Sequence, residues 1–209
     1  MLFRSWNLSA IREYDKEDKD GFFRNIYSAY NYILVVSCSL LIFLNIHLAK
    51  ILFAKDFFPA WEYSSVLLLS AVFSALSGFI GSVFVAVKQS KIFAFSTVVA
   101  AIVNTVLNWL LIPKYDALGA AIATVISFFI IWLIRFICAT KYIKLRKNLC
   151  WDLVSYGILI MQVLIEHLWP KKVFFHIIAV IVLVLINFED TKRLGMIVKK
   201  AYYLKLKKK

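Results

Sequence analysis

Apolar residues fall into six runs separated by short polar breaks, at 30–53, 64–87, 92–112, 117–138, 151–169 and 173–188. The first four approach the roughly 20 residues that an α-helix needs to cross the hydrocarbon core. The fifth is long enough. The sixth, about 16 residues, spans only with local thinning of the bilayer or help from its flanks. Pro170-Lys171-Lys172 separates the last two runs and predicts a hairpin. The pattern predicts an all-α polytopic membrane helix bundle with about six transmembrane helices. It divides the chain into a polar cytoplasmic segment at 1–29, a four-helix core at 30–138, a basic cytoplasmic loop at 139–150, a transmembrane hairpin at 151–188 and a basic tail at 189–209.

Composition sharpens this reading. The chain is 62% hydrophobic with a mean hydropathy of +0.79, well above the roughly 45–50% apolar content of soluble domains. The net charge of +13 raises the question of nucleic acid. The basic residues lie between and after the apolar runs, however, which is a topology signal. Nucleic acid is therefore not an expected partner, and membrane lipid is. With the amino terminus inside, nineteen of the 25 basic residues fall on the cytoplasmic side and five outside, with Arg135 within a run. Both termini are therefore expected in the cytoplasm. The KKAYYLKLKKK tail reads as a positive-inside anchor. Tyr30, Tyr32, Trp61, Tyr63, Trp109, Tyr115, Trp132, Trp151 and Trp169 are expected near the interfaces, in aromatic belts. The first 28 or so residues lack the apolar stretch of a signal peptide.

No enzyme signature, cofactor motif or metal site is expected. Cys38, Cys138 and Cys150 have no metal-ligand spacing, and their odd number argues against a disulfide framework. His47, His167 and His176 are far apart and match no ligand or triad spacing. The runs are read as lacking a carboxylate pair and a mid-membrane Asp or Glu, so any group coupling transport to an ion is expected outside this chain.

The most informative stretch is NTVLNWLLIPKYDALGAAIATVIS, Asn104 to Ser127. Asn104 and Asn108 share one helix face, and a short turn leads into a second helix lined with small residues. The amides read either as cavity lining for a polar ligand or as interhelical glue. Ser70, Ser74, Gly78 and Ser82, with Ser77 and Gly81 beside them, form a small-residue packing face; Gly119, Ala123 and Ser127 form another. Arg135 is a third cavity candidate, able either to hold a phosphate bidentately or to snorkel to the inner interface.

The block LLIPKYDALGAAIATVIS resembles the helix-turn-helix of bacterial polysaccharide (O-antigen type) flippases, within the multidrug/oligosaccharidyl-lipid/polysaccharide exporter superfamily. Arg4-Ser5-Trp6-Asn7-Leu8-Ser9-Ala10 resembles the family's Trp-x-x-Ser-Ala helix end. Ala60-Trp61-Glu62-Tyr63 with LLLSAVFSALSGFIGSVFVAVKQSK resembles the next helix and its basic end. The closing hairpin with Asn187-Phe188-Glu189 fits the same order. The resemblance implies a two-lobe transporter of the bacterial inner membrane that moves polyprenyl-linked oligosaccharide by alternating access. It also implies that this chain matches only the later part. The first lobe is then missing, the chain alone is inactive, and a separately encoded first lobe or self-association would be needed. A non-transporting interaction protein or remnant, and a drug or cation exporter of the same superfamily, are the alternatives.

Overall fold

The computed structural model describes residues 22–143, 149–169 and 173–187. Five helices account for nearly all of them: α1 (Phe22–Leu52), α2 (Trp61–Ala86), α3 (Ser90–Ala139), α4 (Leu149–Leu168) and α5 (Val173–Ile186). A 3₁₀ turn, Lys55–Ala60, joins α1 to α2. The chain is an all-α bundle. Four of its helices are long and apolar enough to cross a membrane, and α5 is apolar but only 14 residues long.

α3 is one helix by hydrogen bonding and two by direction. At 50 residues it would extend about 75 Å if straight. Instead Asp116, at φ 47° and ψ −129°, turns the chain. Arg135 then lies 3.0 Å from Ser96, 39 residues earlier. This contact requires the second half to run back antiparallel along the first, as the predicted helix-turn-helix implies. The local sequence accounts for the turn. Pro113 weakens the last turn of the first half. Gly119, on the returning half, lies so close to the backbone of the first half that a Cβ there would sit 2.5 Å from the Leu111 carbonyl oxygen. α3 therefore supplies two passes.

α1 begins at Phe22, ahead of the apolar run that starts at residue 30. The physical reason is packing, because Phe23 and Tyr27 are completely buried and anchor the extra two turns in the core. The segment 1–21, including the Trp6-to-Ala10 motif, and the tail from residue 188 lie outside the described residues, as do 144–148 of the basic loop. α2 ends in a tight cap. Lys88 adopts φ 58°, the Gln89 N–H reaches the Phe84 carbonyl at 2.7 Å and the Lys88 N–H the Val85 carbonyl at 3.2 Å. This is the left-handed helix ending that satisfies otherwise orphaned carbonyls.

α1 and α2 form the centre. The α3 hairpin packs on α2, while α4 and α5 pack on α1, with α4 also touching α2. An aromatic cluster joins the layers. Trp132 is surrounded by Phe73, Phe129, Phe136 and Tyr156, with ring centroids 5.4–5.7 Å away. Its indole N–H donates to the Tyr27 hydroxyl at 3.1 Å. This corrects the expectation that Trp132 belongs to an interfacial belt: a buried hydroxyl partner removes the need for water at the indole. Trp109, Tyr115, Trp151 and Trp169 are exposed, as belt residues would be.

Candidate functional site

Arg135 is the most elaborately held charge. It is 3% exposed and sits where α2 meets the two halves of α3. Its Nε donates to Ser96 Oγ at 3.0 Å, and Nη1 to the Ser77 carbonyl at 2.9 Å. Nη2 donates to Thr97 Oγ1 at 2.9 Å and to the Phe93 carbonyl at 3.5 Å. The guanidinium carbon also lies 4.2 Å from the centroid of the Phe93 ring, a distance at which the ring quadrupole attracts the cation. Four of the five N–H groups are thus directed at the protein. Gly81 makes room for this arrangement, since a Cβ there would meet Phe93 at 2.7 Å and Arg135 Nη1 at 3.0 Å. As placed, Arg135 joins three helix segments.

Asn104 and Asn108 are half-buried on the first half of α3 and bond each other, Asn108 Nδ2 to Asn104 Oδ1 at 2.9 Å. In the antiparallel register set by Arg135–Ser96 and Gly119–Leu111, they lie level with Ser127 and Ala123. Asn108 Oδ1 is buried without a hydrogen-bond partner. Gly119, Ala123 and Ser127 are buried, and the Ser127 hydroxyl donates to the Ala123 carbonyl one turn back at 2.7 Å. On α2, Ser82 is buried and bonds the Phe79 carbonyl at 2.6 Å; Ser77 bonds the carbonyl of half-buried Ser74 at 2.8 Å. Gly78 is also half-buried. The three cavity candidates therefore sit in two places, the amide pair midway along the hairpin and Arg135 near its open end.

A second polar system runs along the seam between α1 and α4, and the sequence reading missed it. Asn31 donates to Asp152 Oδ1 at 2.8 Å and accepts from the Tyr156 hydroxyl at 2.8 Å. Ser39 and Gln162 exchange two bonds, Ser39 Oγ to Gln162 Oε1 at 2.7 Å and Gln162 Nε2 to the Ser39 carbonyl at 3.0 Å. Asn45 donates to Glu166 Oε1 at 3.1 Å and to the Trp61 carbonyl at 2.9 Å. The paired side chains are 121 to 125 residues apart throughout, so α1 and α4 run parallel in a fixed register. Asn31, Ser39, Asn45, Asp152, Gln162 and Glu166 are all buried. Asp152 and Glu166 share α4, one near each end, about 21 Å apart along the axis. This corrects the expectation of spans without a carboxylate pair. At the Asp152 end, Asn187 Nδ2 reaches Ser155 Oγ at 3.2 Å and ties α5 to α4.

The signal for this seam was present in the sequence. Asp152, Tyr156, Gln162 and Glu166 follow at helical spacings along one face, and Asn31 and Asn45 lie two heptads apart. Each looked isolated because its partner is on a distant helix.

No family model, curated protein or solved structure matches the chain. The site must therefore be interpreted from its own chemistry. Among the described residues no group of three His, Cys, Asp or Glu side chains could hold a metal ion. Cys38 is buried, Cys138 half-buried and Cys150 exposed, all as free thiols. What the arrangement offers is a set of buried polar groups at two helix seams, of the kind that either fix helix register or line a path through the membrane.

Proposed function

We propose that this chain works as the carboxy-terminal lobe of a polysaccharide flippase, translocating polyprenyl-pyrophosphate-linked oligosaccharide across the bacterial cytoplasmic membrane, with both termini inside. The observation that supports this best is the α3 hairpin. The motif resembling the family's helix-turn-helix doubles back at Asp116 and closes on Gly119 against Leu111. It forms one flank of the bundle, with the first half of α3 presenting Phe95, Val98, Ile102 and Trp109 outward. Alternating access requires one lobe to rock against another around a shared site. In this reading the described residues supply one lobe, and the function needs an opposing one. No cofactor enters this reading, and the chain is not proposed to be an enzyme.

One observation favours a second reading. The buried carboxylates on α4 favour a drug or cation exporter of the same superfamily, since such carriers use ionisable groups in the bilayer. A non-transporting interaction protein or remnant is the remaining alternative. Deleting the gene in its source cell separates the three. The flippase reading expects polyprenyl-linked glycan to accumulate inside and surface polysaccharide to fall. Unchanged surface polysaccharide overturns it; increased drug or cation sensitivity supports the second reading.

A further inference from the structure

We infer that Glu166 is a proton-binding site within the bundle, occupied in the conformation described. Glu166 is 2% exposed. Both N–H groups of the Asn45 amide are committed, one to the Trp61 carbonyl and one to Glu166 Oε1. Ser65 of α2 is buried nearby. Oε2 is buried with no hydrogen-bond partner. An ionised carboxylate needs donors at both oxygens or a cation beside it, and burying it without them is costly. A neutral acid meets that constraint, with Oε1 as the accepting carbonyl oxygen and Oε2 carrying the proton.

The surroundings supply no counter-charge among the described residues. α1 contributes Asn45, with His47 and Lys50 exposed further along. α2 contributes Ser65 and the Trp61 carbonyl, with Glu62 exposed and Tyr63 half-buried. On α4, the neighbouring His167 is exposed and its ring lies 6.3 Å from that of Trp61. On α5, His176 is buried, with its Nδ1 lacking a hydrogen-bond partner and its ring 6.4 Å from that of Phe43. Lys171 and Lys172 lie outside the described residues.

A cleft of about 310 Å³ lies between α1 and α2, at the end where the 3₁₀ turn joins them. Its polar lining is Asn45 and Ser64; Leu48, Leu52, Phe53 and Leu68 are among the rest. Asn45 therefore touches both the cleft and Glu166. With the termini inside, this cleft opens toward the outer face. Release of the proton leaves an uncompensated charge against Asn45 and Ser65, which favours separation of α4 from α1 and α2. Use of this proton to couple transport rests on the function proposed above; the site itself does not.

Infrared difference spectroscopy on the full chain in detergent tests the site directly. At neutral pH the protein is expected to show the carbonyl stretch of a protonated, weakly hydrogen-bonded carboxylic acid. The band should be lost as pH is raised and should be missing in Glu166→Gln, which keeps the size and the Asn45 contact. Asn45→Leu removes a donor that stabilises the ionised form, so its band should persist to higher pH. Absence of the band from the wild-type protein, its survival in Glu166→Gln, or an unchanged titration in Asn45→Leu overturns the proposal. The band does not depend on transport. Failure to flip glycan with the band intact therefore counts against the proposed function alone.

Discussion

At the scale of single residues, the bundle is specified by polar side chains that find partners on other helices. Arg135 illustrates this, because its bonds end on two carbonyls and two hydroxyls spread over α2 and α3. Polar contacts between membrane helices average about 0.6 kcal/mol each, so four of them amount to about 2.4 kcal/mol. Arg135→Ala should therefore lower the stability in detergent by about 2–3 kcal/mol, read from the thermal midpoint. Arg135→Lys should not restore it, since an ammonium cannot reproduce the planar fork that reaches all four acceptors. Full rescue by lysine would mean that charge alone matters there. Trp132 shows the limit of single-residue reading. A tryptophan near the end of an apolar run fits a belt and a core equally well, and only the Tyr27 hydroxyl on another helix decides between them.

At the scale of elements, the α3 hairpin depends on one close approach and one strained residue. Gly119→Val must displace the Leu111 backbone, an overpacking effect of about 1–3 kcal/mol. Asp116→Gly should be neutral or stabilising, because the positive φ there suits glycine. Thermal midpoints of the two variants should move in opposite directions, or the second not at all. A fall in both would show that the Asp116 side chain itself supports the turn. The hairpin was legible in the sequence, since two apolar runs flank Pro-Lys-Tyr-Asp-Ala-Leu-Gly and both the turn and the small face are local. The polar face of α4 was visible, but its pairing with α1 was not. Its bonds join positions more than 120 residues apart, and within either run a single Asn, Ser or Gln reads as an isolated polar residue. The start of α1 was misplaced for a related reason: Phe23 and Tyr27 precede the apolar run and are recruited by the core from outside it.

At the scale of the whole molecule, the two polar systems lie on opposite flanks of the central α1–α2 pair. The Arg135 junction locks the hairpin to α2. The Asn31–Asp152, Ser39–Gln162 and Asn45–Glu166 pairs lock α4 to α1. Bonds of this kind hold the bundle rigid, as the proposed rocking of one lobe against another requires. In that proposal the described residues supply one lobe. The account is tested most directly by purified 209-residue protein in liposomes, assayed for movement of polyprenyl-pyrophosphate-linked oligosaccharide between leaflets, alone and together with a first lobe. It predicts no flipping by the chain alone and flipping when the lobe is present. Flipping by the chain without a first lobe, if cross-linking shows it to be monomeric, would contradict the two-lobe account. No flipping in either preparation would contradict the transport function.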